Sequence, residues 1–572
     1  MVQGNTMPAT QLSARLGVLQ TEVDAALEEM AQTRVVARLW RKDHTLWKPE
    51  PREIENRLGW LTVAEEMQKQ VGPLREFAES VCEAGFSHVV LLGMGGSSLG
   101  PEVLRSTFGS ARGFPRLWVL DSTVPGAVRE VTKSIRPART LFILASKSGG
   151  TVEVMSLFSY FWNLVMRTRG NTGGAQFIAI TDHGTSLVSL AQERAFRTTF
   201  INPSDIGGRY SALSYFGLVP AALLGLDLDR LVGRGVHMAR ACGPDVAPAL
   251  NPGASLGAVM GKLGRSGRDK VTLIASPTVR AFGLWAEQLL AESTGKEGKG
   301  LIPIAGEPIA PPTCYGNDRL FVHLRLDGDA NADGDRHLRA LERAGQPVLR
   351  LTLHDRYDVA AQFFCWEFAT AVASHVLGVH PFDQPNVQES KENTSRILKE
   401  MQVPGRVARV QSDGQLADLL AQAAPGRYLA ILAYLRPSVQ ADAALSALRK
   451  AVLARSRLAT TAGYGPRYLH STGQLHKGGP ETGLFLQLLE EMTPDLKIPD
   501  TSYTFGTLAE SQAVGDRQAL EARRRPVVLV RLGGSGLVTV RTLARMVSRP
   551  EGASSRTSRA ITPRGHRSRR VR

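Results

Sequence analysis

The sequence predicts an α/β protein: two parallel-sheet, three-layer domains followed by a C-terminal α/β extension. Three observations carry this reading. At 572 residues, 43% of them hydrophobic, the chain is too long for one ordinary core and rich enough in apolar residues for several. From about residue 55, apolar runs of strand length alternate with helical stretches, and the runs are continuous in Val, Ile and Leu, as in strands covered on both faces. The alternation then resumes twice further along the chain.

Taken in order, residues 1–50 read as a helical opening segment, because LGVLQTEVDAALEEMAQTRVVARLW is amphipathic and ends at the turn-rich KPEPRE. Residues 51–225 hold the first domain, with strands in HVVLLGMGG, PRLWVLDS, TLFILASKSGG, QFIAITD and FRTTFINPS. A helical, Gly/Ala-rich stretch near 212–262 leads into the second domain, 226–405. Its strands are KVTLIAS, RLFVHLRL and PVLRLTL, with helices through WAEQLLAES and from Val359 to Leu377. Residues 406–550 repeat the α/β order in RYLAILAYL, a helix near 438–454, RLATTAGYG and RPVVLVRL. That order suits a third unit or an extension of the second, and it is read here as an extension. No short-period repeat is visible.

Composition excludes several function classes. No apolar run approaches the 18–20 or so residues of a membrane span, and the first residues lack a basic start followed by an apolar core, so a cytoplasmic protein is expected. Cys82, Cys242, Cys314 and Cys365 are far apart and form no CxxC pair, which predicts reduced, buried thiols. The net charge of +16 is uneven, since residues 551–572 carry seven arginines and one acid-free Ser/Arg-rich run from Gly552 onward. This tail reads as disordered, and nucleic acid is not an expected partner. No membrane contact is expected, no His/Asp/Glu cluster has metal-ligand spacing, and no cofactor is called for. Composition leaves a homodimer open.

Two turns carry chemistry. After HVVLL comes Gly93-Met94-Gly95-Gly96-Ser97-Ser98-Leu99-Gly100-Pro101, in which glycines permit close backbone approach and a following helix N-terminus can face an anion. Ser98 stands where a dinucleotide fingerprint needs its last glycine, and no lysine follows as in a P-loop. After TLFILA comes Ser146-Lys147-Ser148-Gly149-Gly150-Thr151, which offers hydroxyls, an ammonium and flexible glycines at the carboxyl end of a strand, as a phosphomonoester dianion requires. Each turn alone is equally an unliganded strand-to-helix junction.

Together the two turns resemble the sugar isomerase (SIS) domain, and INPSDIGGRYSALS resembles the glucose-6-phosphate isomerase stretch around GGRYS. WAEQLLAESTGK is similar to that family's Gln-x-x-x-Glu-Ser-x-Gly-Lys segment and FDQPNVQESK to its FDQxxVExxK segment, all in the same chain order. The resemblance covers about residues 40–400. The stretches RKDHTLWKPEPREIENRLGWL, YGPRYLHSTGQLHKGGP and FGTLAESQAVGDRQAL look like the isomerase half of transaldolase/glucose-6-phosphate isomerase fusions. Transaldolase activity is not expected, because about 50 residues ahead of the match cannot hold a barrel of roughly 250.

The resemblance implies interconversion of glucose 6-phosphate and fructose 6-phosphate by ring opening and enediolate proton transfer. Such chemistry requires a carboxylate base, a cation beside the oxyanion and an acid/base for the ring. It implies Glu292 as base, Arg209 as the cation, and Lys391 around ring opening. Gly96, Ser97, Ser146, Lys147, Ser148, Thr151, Gln288 and Gln384 would bind the sugar phosphate. The family's ring-opening histidine has no counterpart in CYGNDRLFVHLRLDG, where Asp327 falls near its place and His323 sits in an apolar strand. The role is assigned to His476, with His470 as the other candidate and a packing histidine as the alternative for either. A dual phosphoglucose/phosphomannose isomerase and a non-catalytic phosphosugar-binding SIS regulator are the rival functions. A regulator would need the phosphate site but no base.

Overall fold

The computed structural model describes residues 11–386, 392–394, 396–398, 416–533 and 536–548. Its apolar runs become three sheets. Strand β1 (Gln11–Arg15) comes first, then β2 (His88–Gly93), β3 (Arg116–Leu120), β4 (Thr140–Ala145), β5 (Phe177–Asp182) and β6 (Thr198–Asn202). Strands β2 to β6 form one parallel sheet in the order β3-β2-β4-β5-β6. Every residue of β4 is buried, and its neighbours alternate between two cores: Leu141 and Ile143 pack to one face, Phe142 and Leu144 to the other. The continuous apolar run is thus the signature of a strand covered on both sides. The chain leaves β2 toward β3 on one side and returns to β4 on the other. The crevice at the carboxyl ends of β2 and β4 is therefore the switch point where such sheets bind ligands.

The second sheet holds β7 (Lys270–Ala275), β8 (Ile302–Ala305), β9 (Arg319–Leu326) and β10 (Val348–Leu353), all parallel in the order β8-β7-β9-β10. Strand β1 adds antiparallel to the outer edge of β10. Among the described residues of the opening segment, α-helix covers Gln20–Gln32 and Val35–Trp40, and the expectation of helix is corrected over Gln11–Arg15, which is strand. Gly17, at φ +58°, separates strand from helix, and pairing with β10 satisfies an otherwise open sheet edge. The helix Asp358–Leu377 is buried along nearly its whole length. Helix Pro252–Arg265 lies close against it, since a Cβ at Gly257 would stand 2.5 Å from the Ala369 carbonyl.

The C-terminal stretch builds its own sheet. Strands β11 (Tyr428–Tyr434), β12 (Ala459–Tyr464), β13 (Gly483–Glu490) and β14 (Val527–Leu532) are parallel in the order β12-β11-β13-β14. Tyr428, Ala430, Leu432 and Tyr434 share one hydrophobic core with Val90, Leu92, Phe142 and Leu144 of the first sheet. Edge β12 meets β8 through buried charge: the Thr460 N–H donates to Glu307 at 2.8 Å, and Arg449 donates to the carbonyls of Ala305 and Gly306 at 2.9 Å each. Among the described residues no helix is long and apolar enough to cross a membrane. The four cysteines are free, but only Cys242 and Cys365 are buried, Cys82 and Cys314 being half-buried.

Candidate active site

The two sequence turns lie side by side, because β2 and β4 pair with Gly93 opposite Ala145. Gly95 adopts φ +55° and opens the helix Gly96–Phe108. A Cβ on Gly96 would fall 1.9 Å from the Gly208 carbonyl, and one on Gly95 would strike the His470 carbonyl and Gln288. These glycines let the turn press against the residues around Arg209 and the third sheet's loop. Ser97 is buried beside them, and Ser98 Oγ donates to Asp121 at 3.1 Å.

In the second turn Ser146 is buried and its hydroxyl bonds that of Thr151 at 2.9 Å, while Ser148 and Gly150 are exposed. Gly149, at φ +72°, folds the turn back over Thr185. Helix Val152–Arg169 starts there with no side-chain cap, so its first amides face the turn. Lys147, expected to bind substrate, is already paired. Its ammonium pairs with Asp182 at the end of β5 and donates to the Ser204 carbonyl at 2.9 Å, because the half-buried Asp182 needs a counter-charge. With Lys147 paired to Asp182, the turn offers an incoming anion its hydroxyls and the first helix amides.

Helix Phe282–Thr294 is buried on almost every side and brings Gln288 and Glu292 to one face, one turn apart. Gln288 Nε2 donates to Glu292 Oε2 at 3.0 Å and to the His470 carbonyl at 2.9 Å. Arg209 Nη1 stands 3.6 Å from the same carboxylate oxygen. The guanidinium is fixed by donation to Ser293 Oγ (2.8 Å), Gln384 Oε1 (2.9 Å) and the carbonyls of Pro381 (2.6 Å) and Asp383 (3.1 Å). Gln384 thus meets the site as a partner of Arg209. Lys296, in the same sequence motif, bonds Asp383 at 2.6 Å and the His380 carbonyl and so holds the 380–384 loop; burial and the nearby Arg209 push its ammonium pKa down.

The histidine assignment changes. His476 is buried against Phe485 and Tyr468 with both ring nitrogens lacking a hydrogen-bond partner, and burial drives its pKa far down, the Lys477 and Arg525 charges adding to this. It is a packing histidine. His470 instead sits beside Gln288, and its Nε2 bonds Glu153 Oε1 at 2.8 Å. At the start of the same turn, three residues before His470, Arg467 grips both oxygens of Asp121 at 2.7 Å. His323 lies buried in β9 with its pKa pushed down by burial to about 4, and Asp327 pairs with Arg325 and His354, both apart from these groups. Lys391 lies outside the described residues.

Glu153, Gln512 and Asp121 were missed by sequence reading. Glu153 follows the second turn by two residues and is a carboxylate in an otherwise apolar helix start, a signal that could have found it. Gln512 carries no such signal, since its partner is 359 residues away. Among the described residues no group of His, Cys, Asp and Glu is placed to hold a metal ion.

A family model described as phosphoglucose isomerase matches residues 62–240, which contain both turns and Arg209. The chain is 28% identical over 400 residues to a glucose-6-phosphate isomerase of Symbiobacterium thermophilum, covering 62% of this chain and 89% of that one. It is 29% identical over 366 residues to a glucose-6-phosphate isomerase of Rubrobacter xylanophilus, covering 56% and 84%. Among solved structures, a hypothetical protein from Thermus thermophilus matches with a TM-score of 0.60 and 23% identity, over 68% of this chain and 100% of that one, a likeness of fold. The sequence matches and the two turns agree: the chain is similar to glucose-6-phosphate isomerases over more than half of its length, and to the phosphoglucose isomerase family model over residues 62–240.

Proposed function

We propose that this protein interconverts glucose 6-phosphate and fructose 6-phosphate, with Glu292 moving the proton between C2 and C1. The observation that carries the proposal is one buried carboxylate held between Gln288 and Arg209 beside two anion-cradling turns. Ser146, Ser148, Thr151 and the amides of helix Val152–Arg169 suit the 6-phosphate. The Gly95–Gly96 turn and Ser97 suit the sugar hydroxyls.

His470 opens the ring. Its Nε2 must carry the proton that Glu153 accepts, which leaves Nδ1 as the nitrogen that exchanges a proton with the ring oxygen. Glu292 then takes the C–H proton from one face and returns it to the neighbouring carbon. Arg209 cannot lose its charge and cannot move, so it stabilises the enediolate without reorganising. Lys391 is assigned here to the ring-opening end of the substrate by resemblance alone. The free cysteines suit a reducing, cytoplasmic setting.

The test is a coupled assay with glucose 6-phosphate, fructose 6-phosphate and mannose 6-phosphate, together with Glu292→Gln. The variant keeps the side chain's size and loses its basicity. It should bind a hydroxamate mimic of the enediolate while turnover falls about 10²–10⁴-fold. Washing of solvent deuterium into fructose 6-phosphate at near the parent rate would remove Glu292 from the role of base.

A further inference from the structure

We propose that Gln512, in the helix Phe505–Ala522 of the third sheet's unit, is a positioning residue for ring opening that locks the Glu153–His470 pair. Glu153 Oε1 accepts from Gln512 Nε2 at 2.7 Å and from His470 Nε2 at 2.8 Å. The other end of the Gln512 amide is also fixed, since Thr123 Oγ1 donates to its Oε1 at 2.7 Å. A flipped amide would turn its oxygen onto the carboxylate oxygen of Glu153, so only one orientation is favourable. Thr123 and Gln512 are 0% and 1% exposed, and neither bond competes with bulk water.

The arrangement spans two units of the chain. Thr123 follows β3 and Glu153 opens the helix after β4, whereas His470 and Gln512 belong to the C-terminal unit. Gln512 reads the position of the first unit through Thr123 and passes it to the carboxylate that orients the imidazole. The chemistry and the docking of the third unit therefore share the same atoms. The other charged groups nearby are already paired: Asp516, one turn along the helix, is held by Lys477 at 2.6 Å and Tyr468 at 2.8 Å, Asp121 is held by Arg467, and Glu510 by Arg531 at 3.1 Å.

This inference rests on His470 as the ring-opening acid/base, so the experiment separates the two. Interconversion of the α and β anomers of substrate, followed by exchange NMR on the full chain, reads ring opening without isomerisation. Gln512→Leu should slow it about 10- to 100-fold, the scale of one hydrogen bond to a charged group. KM should barely change. The acid limb of the pH profile should move to higher pH, because a carboxylate that loses a donor is more easily protonated. His470→Asn runs alongside. If it anomerises at the parent rate, the reading of His470 falls. If His470→Asn is slow while Gln512→Leu matches the parent in rate and pH profile, only the role of Gln512 falls. A slower Gln512→Leu with an unmoved pH profile indicates packing alone and also overturns the proposal. Should Gln512→Leu fail to fold, the isosteric Thr123→Val carries the same test with a smaller effect, and an unmoved pH profile there overturns it.

Discussion

Arg209 shows how much a single charged side chain can be asked to do when it is buried. Its guanidinium makes four hydrogen bonds, to Ser293, Gln384 and two main-chain carbonyls, and the side chain is 3% exposed. The guanidinium thereby ties the stretch after Asp358–Leu377 to the helix that carries Glu292. A lysine would keep the charge but lose the planar fork, leaving buried carbonyls of Pro381 and Asp383 without donors. Arg209→Lys should lower kcat by about 10²–10³-fold, as for loss of an oriented donor at a developing oxyanion. It should also cost about 1–3 kcal/mol of stability for the stranded acceptors. Steady-state kinetics and thermal unfolding on the same preparation check both, and a variant with kcat near that of the parent would reduce Arg209 to a structural strut.

At the scale of elements, the second turn and the helix behind it form one device. Ser146 and Thr151 brace each other, Ser148 stays exposed, and the uncapped amides of Val152–Arg169 add the helix dipole. Replacing Ser148 and Thr151 together by Ala should raise KM for fructose 6-phosphate at least as much as it lowers kcat, because hydroxyls that hold the phosphate, as proposed for these two, do so in ground and transition states alike. An unchanged KM would move the phosphate elsewhere. Local elements of this kind were legible in the sequence, for their cues are contiguous: a strand, glycines, hydroxyls, then a helix. Gln288 and Glu292 were legible for the same reason, being four residues apart on one helix. The choice between His470 and His476 was not, since both sit in one Gly-rich stretch and only Tyr468 and Phe485, arriving from different elements, bury the second. The pairing of Lys147 with Asp182 was equally hidden, as it joins neighbouring strands.

The described residues form three sheets of related strand order, parallel apart from the added edge strand β1, and the third unit was the least legible part because its identity as a separate sheet depends on which edges meet. That unit shares a core with the first sheet and joins the second through buried charge around Arg449, Glu307 and Arg319. Glu287 faces this junction from the same helix as Glu292. It accepts a hydrogen bond from the Ala305 N–H at 3.3 Å, and burial raises its pKa to about 7 even though the Arg449 charge pulls the other way. Between its ordinary value near 4.5 and about 7 the folded protein keeps the proton while the unfolded chain has released it, so this group's contribution to stability falls as pH rises through that window and is flat above it. Glu287→Gln keeps the acceptor and the shape but never ionises. It should match the parent near pH 4.5 and exceed it by roughly 1–3 kcal/mol near pH 8. Urea unfolding of both proteins across that range gives the difference directly. A difference that stays constant with pH would mean that Glu287 titrates alike in the folded and unfolded protein, and a difference of opposite sign would mean that Arg449 holds it ionised and that the charge pair, rather than burial, governs the joint between the second and third units.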